Sequence, residues 1–154
     1  MLKVVNAQDD YTSILFTGSG TAAIEACISS NIAKHKTLAV INNGSYGQRM
    51  VDIAKRYGIN VVEIRFSYDE PIALERIESE LVANPDIQYL AMVHHETSSG
   101  ILNPLHEVGQ LCHHLGRGFI VDAMSSFAGT EIDVNADHID FIMSKIFVSI
   151  FSNF

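Results

Sequence analysis

Short apolar runs alternate with helix-patterned stretches along most of the chain, and that alternation restricts the fold more than any other feature. Residues 13–17, 37–41, 61–66, 88–93 and 119–122 are apolar or β-branched enough to be strands, and 139–143 continues the pattern. Helical spacing opens at Thr21, runs over about 48–57, begins again at Pro71 through about 82, and follows Pro104 to about 115. Strands separated by helices in this way form successive βαβ crossovers. The expected architecture is therefore α/β, a three-layer αβα domain around a mainly parallel sheet. In such a sheet every strand ends at the same edge, which gathers the loops at 42–47, 94–100 and 122–126.

With 154 residues, 47% of them hydrophobic, the chain suffices for one compact core rather than two. Its formal net charge of -8, with scattered Lys and Arg, argues against a nucleic-acid groove or a polybasic membrane contact, so a small-molecule ligand is expected. Cys27 and Cys112 sit in apolar helical patterns without a paired-Cys framework. They read as reduced core thiols of a cytoplasmic protein. No basic segment followed by an apolar one opens the sequence, and no uninterrupted apolar run reaches about 18 residues, so no membrane association is expected.

Chemistry is expected where the strands end. Asp122 closes the 119–122 run, and a carboxylate there either holds a proton on an aromatic cofactor nitrogen or caps the following turn. Ser19, Gly20 and Thr21 open the first helix, an arrangement suited to an anionic phosphate and equally to plain turn chemistry. The turn has neither P-loop spacing nor the G-x-G-x-x-G fingerprint, so a nucleotide reading has little support. His94-His95 and His113-His114 are adjacent pairs whose side chains diverge, and no H-E-x-x-H or Cys pair completes a metal set; no metal site is expected. His113 and His114 read as an exposed helix end placed favourably for the helix dipole.

Four motifs in order, T-G-S-G-T-x-A-I-E-A, N-N-G-S-Y-G-Q-R-M, M-V-H-H-E-T-S-S-G-I-L-N-P and F-I-V-D-A-M-S-S-F, together resemble the class V aminotransferases of pyridoxal phosphate fold type I. The similarity runs from about residue 11 to 143. The resemblance implies that Ser19, Gly20 and Thr21 bind the phosphate of pyridoxal 5′-phosphate, and that Tyr46 stacks on its ring with Met124 on the opposite face. It also implies that Thr97 bonds near the ring 3-hydroxyl and that Asp122 pairs with the ring nitrogen. His94 or His95 can then face the cofactor edge. Within the class, the motifs lie nearest the branch that moves an amino group from 2-aminoethylphosphonate to pyruvate; an alanine:glyoxylate or serine branch is the alternative. The partners implied are an amino donor, a 2-oxo acid and a second subunit, since the family forms dimers.

The resemblance breaks at Ser144. In the family a Ser-x-x-Lys type stretch carries the lysine that bonds the cofactor, whereas here Lys145 follows Ser144 directly, about three residues early, close to 10 Å of extended chain. Lys145 is the candidate catalytic lysine with its register displaced. Residues 1–143 are expected to form part of the cofactor-binding large domain and 144–154 a divergent tail, with the small C-terminal domain missing. A truncated chain of this kind is expected to be inactive alone, and a noncatalytic remnant keeping only the α/β fold is the further alternative.

Overall fold

The computed structural model describes residues 2–7, 11–15 and 17–145. The expected tail beyond Lys145 lies outside the described residues. A short 3-10 turn, Leu2–Val5, precedes α1 (Gly20–Asn31), β1 (Thr37–Asn42), α2 (Ser45–Arg56), β2 (Asn60–Arg65) and α3 (Leu74–Ala83). Then come β3 (Ile87–Val93), a two-residue hairpin of β4 (His95–Glu96) and β5 (Ile101–Leu102), α4 (Leu105–His114), β6 (Gly118–Asp122) and β7 (Phe141–Met143).

Five strands form one sheet in the order β2-β1-β3-β6-β7, and every pair in it is parallel. Side chains alternate between its faces, as the strand period requires. Leu38, Val40, Ala91, Val93 and Ile120 meet Ile24 and Ile28 of α1 and Met50, Val51 and Ala54 of α2. Ala39, Ile41, Leu90, Met92 and Val121 meet Ile77 and Leu81 of α3 and Val108 and Cys112 of α4 on the other side. These two apolar layers make the expected αβα sandwich, with strands covered on both faces. No helix among the described residues is long and apolar enough to cross a membrane.

From β1 the chain steps outward to β2, then returns past β1 to β3 and continues the other way to β6. The sheet therefore has its topological switch between β1 and β3, where the loops leaving these strands diverge and open a crevice.

Three expectations need correction. The strand expected over 13–17 is not present among its described residues: 13–15 have no regular structure, and Ile14 and Leu15 are 80% and 72% exposed. A strand needs a ladder partner, and this stretch is instead tied to the domain through Tyr11, whose hydroxyl donates to Ile139 O at 2.9 Å. The third helix begins at Leu74, three residues after Pro71, with Ala73 as its cap. Cys27 is half-buried, unlike the fully buried Cys112: it packs against the core but also borders a cavity beside Phe141 and Met143.

Candidate active site

β6 ends in Asp122, which is 3% exposed. Its Oδ1 accepts the Met124 N–H at 2.9 Å, closing the turn that follows the strand. Burial raises its pKa above the ordinary carboxylate range; the nearby Glu96 charge adds to the rise, while the Met124 N–H and, more weakly, Arg49 oppose it. A buried carboxylate held short of full compensation suits a partner that brings a positive charge or a proton.

The turn places Met124 beside the start of α1. A Cβ on Gly20 would lie 2.9 Å from Met124 Sδ, so the absence of a side chain at position 20 is what lets the two segments meet. At the same helix end, Ser19 Oγ accepts the Ala22 N–H at 3.2 Å and Thr21 Oγ1 accepts from Arg49 Nη1 at 3.3 Å. Each hydroxyl is used as an acceptor and keeps its own proton to donate, beside the positive end of the helix. The α1 terminus can thus take an anion.

Arg49 continues the chain of contacts. Its guanidinium lies 4.9 Å from the centre of the Tyr46 ring, within cation–π range, while its other end reaches Thr21. Tyr46 belongs to the first turn of α2, whose N–H groups are all taken: Ser45 N–H donates to Ser98 Oγ at 2.8 Å, and Tyr46 and Gly47 N–H donate to Glu96 Oε2 at 3.1 and 3.0 Å. Of the two helix N-termini just described, that of α2 is therefore filled by a protein carboxylate, whereas that of α1 carries the two hydroxyls. The crevice floor is pinned by amides: Asn43 donates to Asn103 Oδ1 at 2.9 Å and Asn103 to Val93 O at 2.7 Å.

The contacts Asp122–Met124–Gly20–Thr21–Arg49–Tyr46–Glu96 thus link Ser19, Gly20, Thr21, Tyr46, Asp122 and Met124 at one sheet edge. Thr97 stands on the neighbouring loop, exposed between Glu96 and Ser98. Lys145 lies two residues past Met143, which pairs in register with Asp122, and is exposed. A cavity of about 740 Å³ is bordered by Ser19, Gly20 and Lys145 but by none of Tyr46, Thr97, Asp122 or Met124. It extends along α1 over Leu2, Tyr11 and Phe141, and shares only Ser19 and Gly20 with the cradle just described. His94 is buried, and burial lowers its pKa, so it is a neutral neighbour of the edge.

Sequence reasoning missed Glu96, Ser98 and Arg49. A signal for Glu96 existed: α2 follows Gly44, which has no side chain to cap the helix, so its first N–H groups required an acceptor from elsewhere.

The sequence model of the family described as aminotransferase class-V matches residues 2–145. A bifunctional phosphonoacetaldehyde hydrolase/aminoethylphosphonate transaminase of Clostridioides difficile is 48% identical over 137 residues, covering 89% of this chain and 22% of that protein. A 2-aminoethylphosphonate–pyruvate transaminase of Salmonella paratyphi B is 41% identical over 149 residues, 94% of this chain and 40% of the relative. Among solved structures, an alanine–glyoxylate aminotransferase from Nostoc sp. superposes with a TM-score of 0.85 at 34% identity, covering 93% of this chain and 37% of that one. Pyridoxamine-pyruvate aminotransferase from Mesorhizobium loti superposes at 0.86 with 28% identity over 94% of this chain and 36% of the other. The chain spans less than half the length of each.

Proposed function

Since the chain belongs to the class-V aminotransferase family, we propose that it is part of a pyridoxal-phosphate-dependent transaminase that moves the amino group of 2-aminoethylphosphonate to pyruvate, giving phosphonoacetaldehyde and alanine. The observation that carries this reading is the buried Asp122 joined through Met124 and Gly20 to an open helix terminus bearing two hydroxyl donors. The choice of donor is supported by the names of the two curated relatives above.

Pyridoxal 5′-phosphate, when bound, supplies an aldehyde that exchanges amino groups and an aromatic ring that accepts electrons. The chain's residues fit it. Ser19, Gly20 and Thr21 hold the phosphate at the α1 terminus, with Arg49 adding a positive charge beside Thr21. Tyr46 and Met124 cover the two ring faces and keep water from them. Thr97 donates at the ring oxygen. Asp122 keeps a proton on the ring nitrogen, a role for which its raised proton affinity prepares it. Lys145 is the candidate amine, whose Nζ would take the proton from the donor's amino-bearing carbon and deliver it across the nitrogen to the cofactor's aldehyde carbon. Residues 1–143 are assigned to the cofactor-binding domain and 144–154 to a divergent segment. The working assembly is a dimer in the cytoplasm.

The test is to mix the purified chain with pyridoxal 5′-phosphate, reduce with borohydride and map modified lysines by mass spectrometry. Label confined to Lys145 is the expected result. Label spread over Lys3, Lys34, Lys36 and Lys55, or none, overturns the assignment of Lys145. Light scattering checks the dimer.

A further inference from the structure

The carboxylate of Glu96 is 0% exposed, yet the cofactor assignment gives it no role. Its hydrogen-bond partners among the described residues all donate to it. Oε2 accepts the Tyr46 and Gly47 N–H groups, and Oε1 accepts Ser98 N–H at 3.2 Å and Ser98 Oγ at 2.5 Å. Ser98 Oγ in turn accepts the Ser45 N–H, so one carboxylate and one hydroxyl cap three successive residues of α2 from a loop about fifty positions away. Room for this is made at Gly44, where a Cβ would stand 2.2 Å from Glu96 Cγ and Cδ. The backbone carbonyl of Glu96 is also tied, accepting Gly100 N–H at 2.8 Å and Ser99 N–H at 3.2 Å.

Such a carboxylate spans the crevice at the topological switch. On one side it grips the turn that carries Tyr46; on the other it immediately precedes Thr97. A helix first turn left without acceptors frays, and a ring carried on a frayed turn samples several positions. We propose that Glu96 is a positioning residue of the cradle, fixing Tyr46 against the neighbouring Thr97 loop before any cofactor arrives. This rests on the function proposed above. Its charge also reaches the far end of the site, where it adds to the raised proton affinity of Asp122.

The chain contains no tryptophan, so Tyr46→Trp installs a single indole emitter at the ring position. In that background Glu96→Ala is expected to shift the indole emission and steepen its quenching by acrylamide, with far-UV circular dichroism unchanged. Glu96→Gln keeps an acceptor for the N–H groups of positions 46 and 47 and is expected to restore most of the parent signal, which mere filling of space by Glu96→Leu does not. Binding of pyridoxal 5′-phosphate, measured by equilibrium dialysis, is expected to weaken about twofold to tenfold in Glu96→Ala, the range a lost aromatic stack spans. A folded Glu96→Ala whose indole emission and quenching match the parent overturns the proposal. Where Glu96→Ala does not fold, Ser98→Ala decides, because it removes the hydroxyl donor to Oε1 and the Ser45 acceptor together: unchanged quenching overturns the role, and steeper quenching upholds it. An indole that responds to Glu96 in a parent that binds no pyridoxal 5′-phosphate upholds the hold on position 46 and counts against the cofactor reading instead.

Discussion

Gly20 and Met124 approach so closely that a Cβ on Gly20 would stand 2.9 Å from Met124 Sδ and 3.3 Å from Cε. The obstructing atoms end a flexible side chain, so Gly20→Ala is expected to fold, with Met124 swung aside. Because the clashing atoms can move, the cost falls at the low end of the usual overpacking range of about 1–3 kcal/mol, a destabilisation of about 1 kcal/mol in urea titration. On the proposed function, affinity for pyridoxal 5′-phosphate is expected to fall, because Met124 would leave the ring face. Adding Met124→Ala removes the clash, so the stability effects of the two changes are expected not to add. Strict additivity would show that the two residues do not touch.

Asp122 titrates above its ordinary value of 3.8 because it is buried. The unfolded chain therefore releases this proton at lower pH than the folded one, and the group's contribution to stability is lost as pH rises from about that value through the raised one. Asp122→Asn keeps an oxygen for the Met124 N–H and has no charge to bury. In the cofactor-free protein it is expected to raise Tm, and the difference from the parent is expected to widen with rising pH. On the proposed function, cofactor affinity is expected to move the other way, since a neutral amide would not pair with a protonated ring nitrogen as a carboxylate does. A variant that is less stable than the parent at neutral pH would contradict the burial argument.

His94 behaves with the opposite sign. Burial holds its pKa below the ordinary 6.5, with Asp137 opposing and His95 adding to the shift. The unfolded chain takes up the proton first, so stability is lost as pH falls from about 6.5 through the lowered value. Its Nδ1 has no hydrogen-bond partner among the described residues, so replacing the ring strands no donor or acceptor at that atom. His94→Leu is expected to flatten this part of the stability profile. An unchanged slope in chemical denaturation between pH 7 and about 5 would assign the acid sensitivity to other groups.

Local signals were enough wherever one segment decides its own structure. The alternation of strands and helices, the opening of α1 after Ser19, the start of α4 at Pro104 and the edge position of Asp122 follow from short-range patterns. The failures are long-range. The 13–17 run is apolar enough for a strand, but its described residues have no ladder partner, and α2 begins at Ser45 rather than about 48 because Glu96 and Ser98 cap it across the crevice. The hairpin of β4 and β5 lies in a stretch read only as a polar loop. Motif resemblance named Tyr46 and Thr97 but not the carboxylate between them, since the demand for Glu96 arises only once two loops meet.

Gly109, in the middle of α4, tests how tightly the sheet's outer layer is fixed. Alanine normally favours a helix interior over glycine by about 1 kcal/mol. Here a Cβ would lie 1.9 Å from Asp137 O and 2.8 Å from Asp137 C, and backbone cannot swing aside as Met124 can. Asp137 is itself held: its N–H donates to Asp133 O at 2.8 Å, Asp133 N–H donates to its Oδ2 at 3.1 Å, and His106 Nδ1 lies 3.0 Å from its Oδ1. The clash must therefore move α4 or the whole turn before β7. Gly109→Ala is expected to lose about 2 kcal/mol in urea titration, an overpacking term at the top of the usual range of about 1–3 kcal/mol exceeding the propensity gain of about 1 kcal/mol. Because that turn leads directly into β7, whose Met143 pairs with Asp122, the same variant is expected to weaken binding of pyridoxal 5′-phosphate although position 109 lies on the opposite face. A stabilised Gly109→Ala would mean that α4 stands farther from this turn than the structure places it.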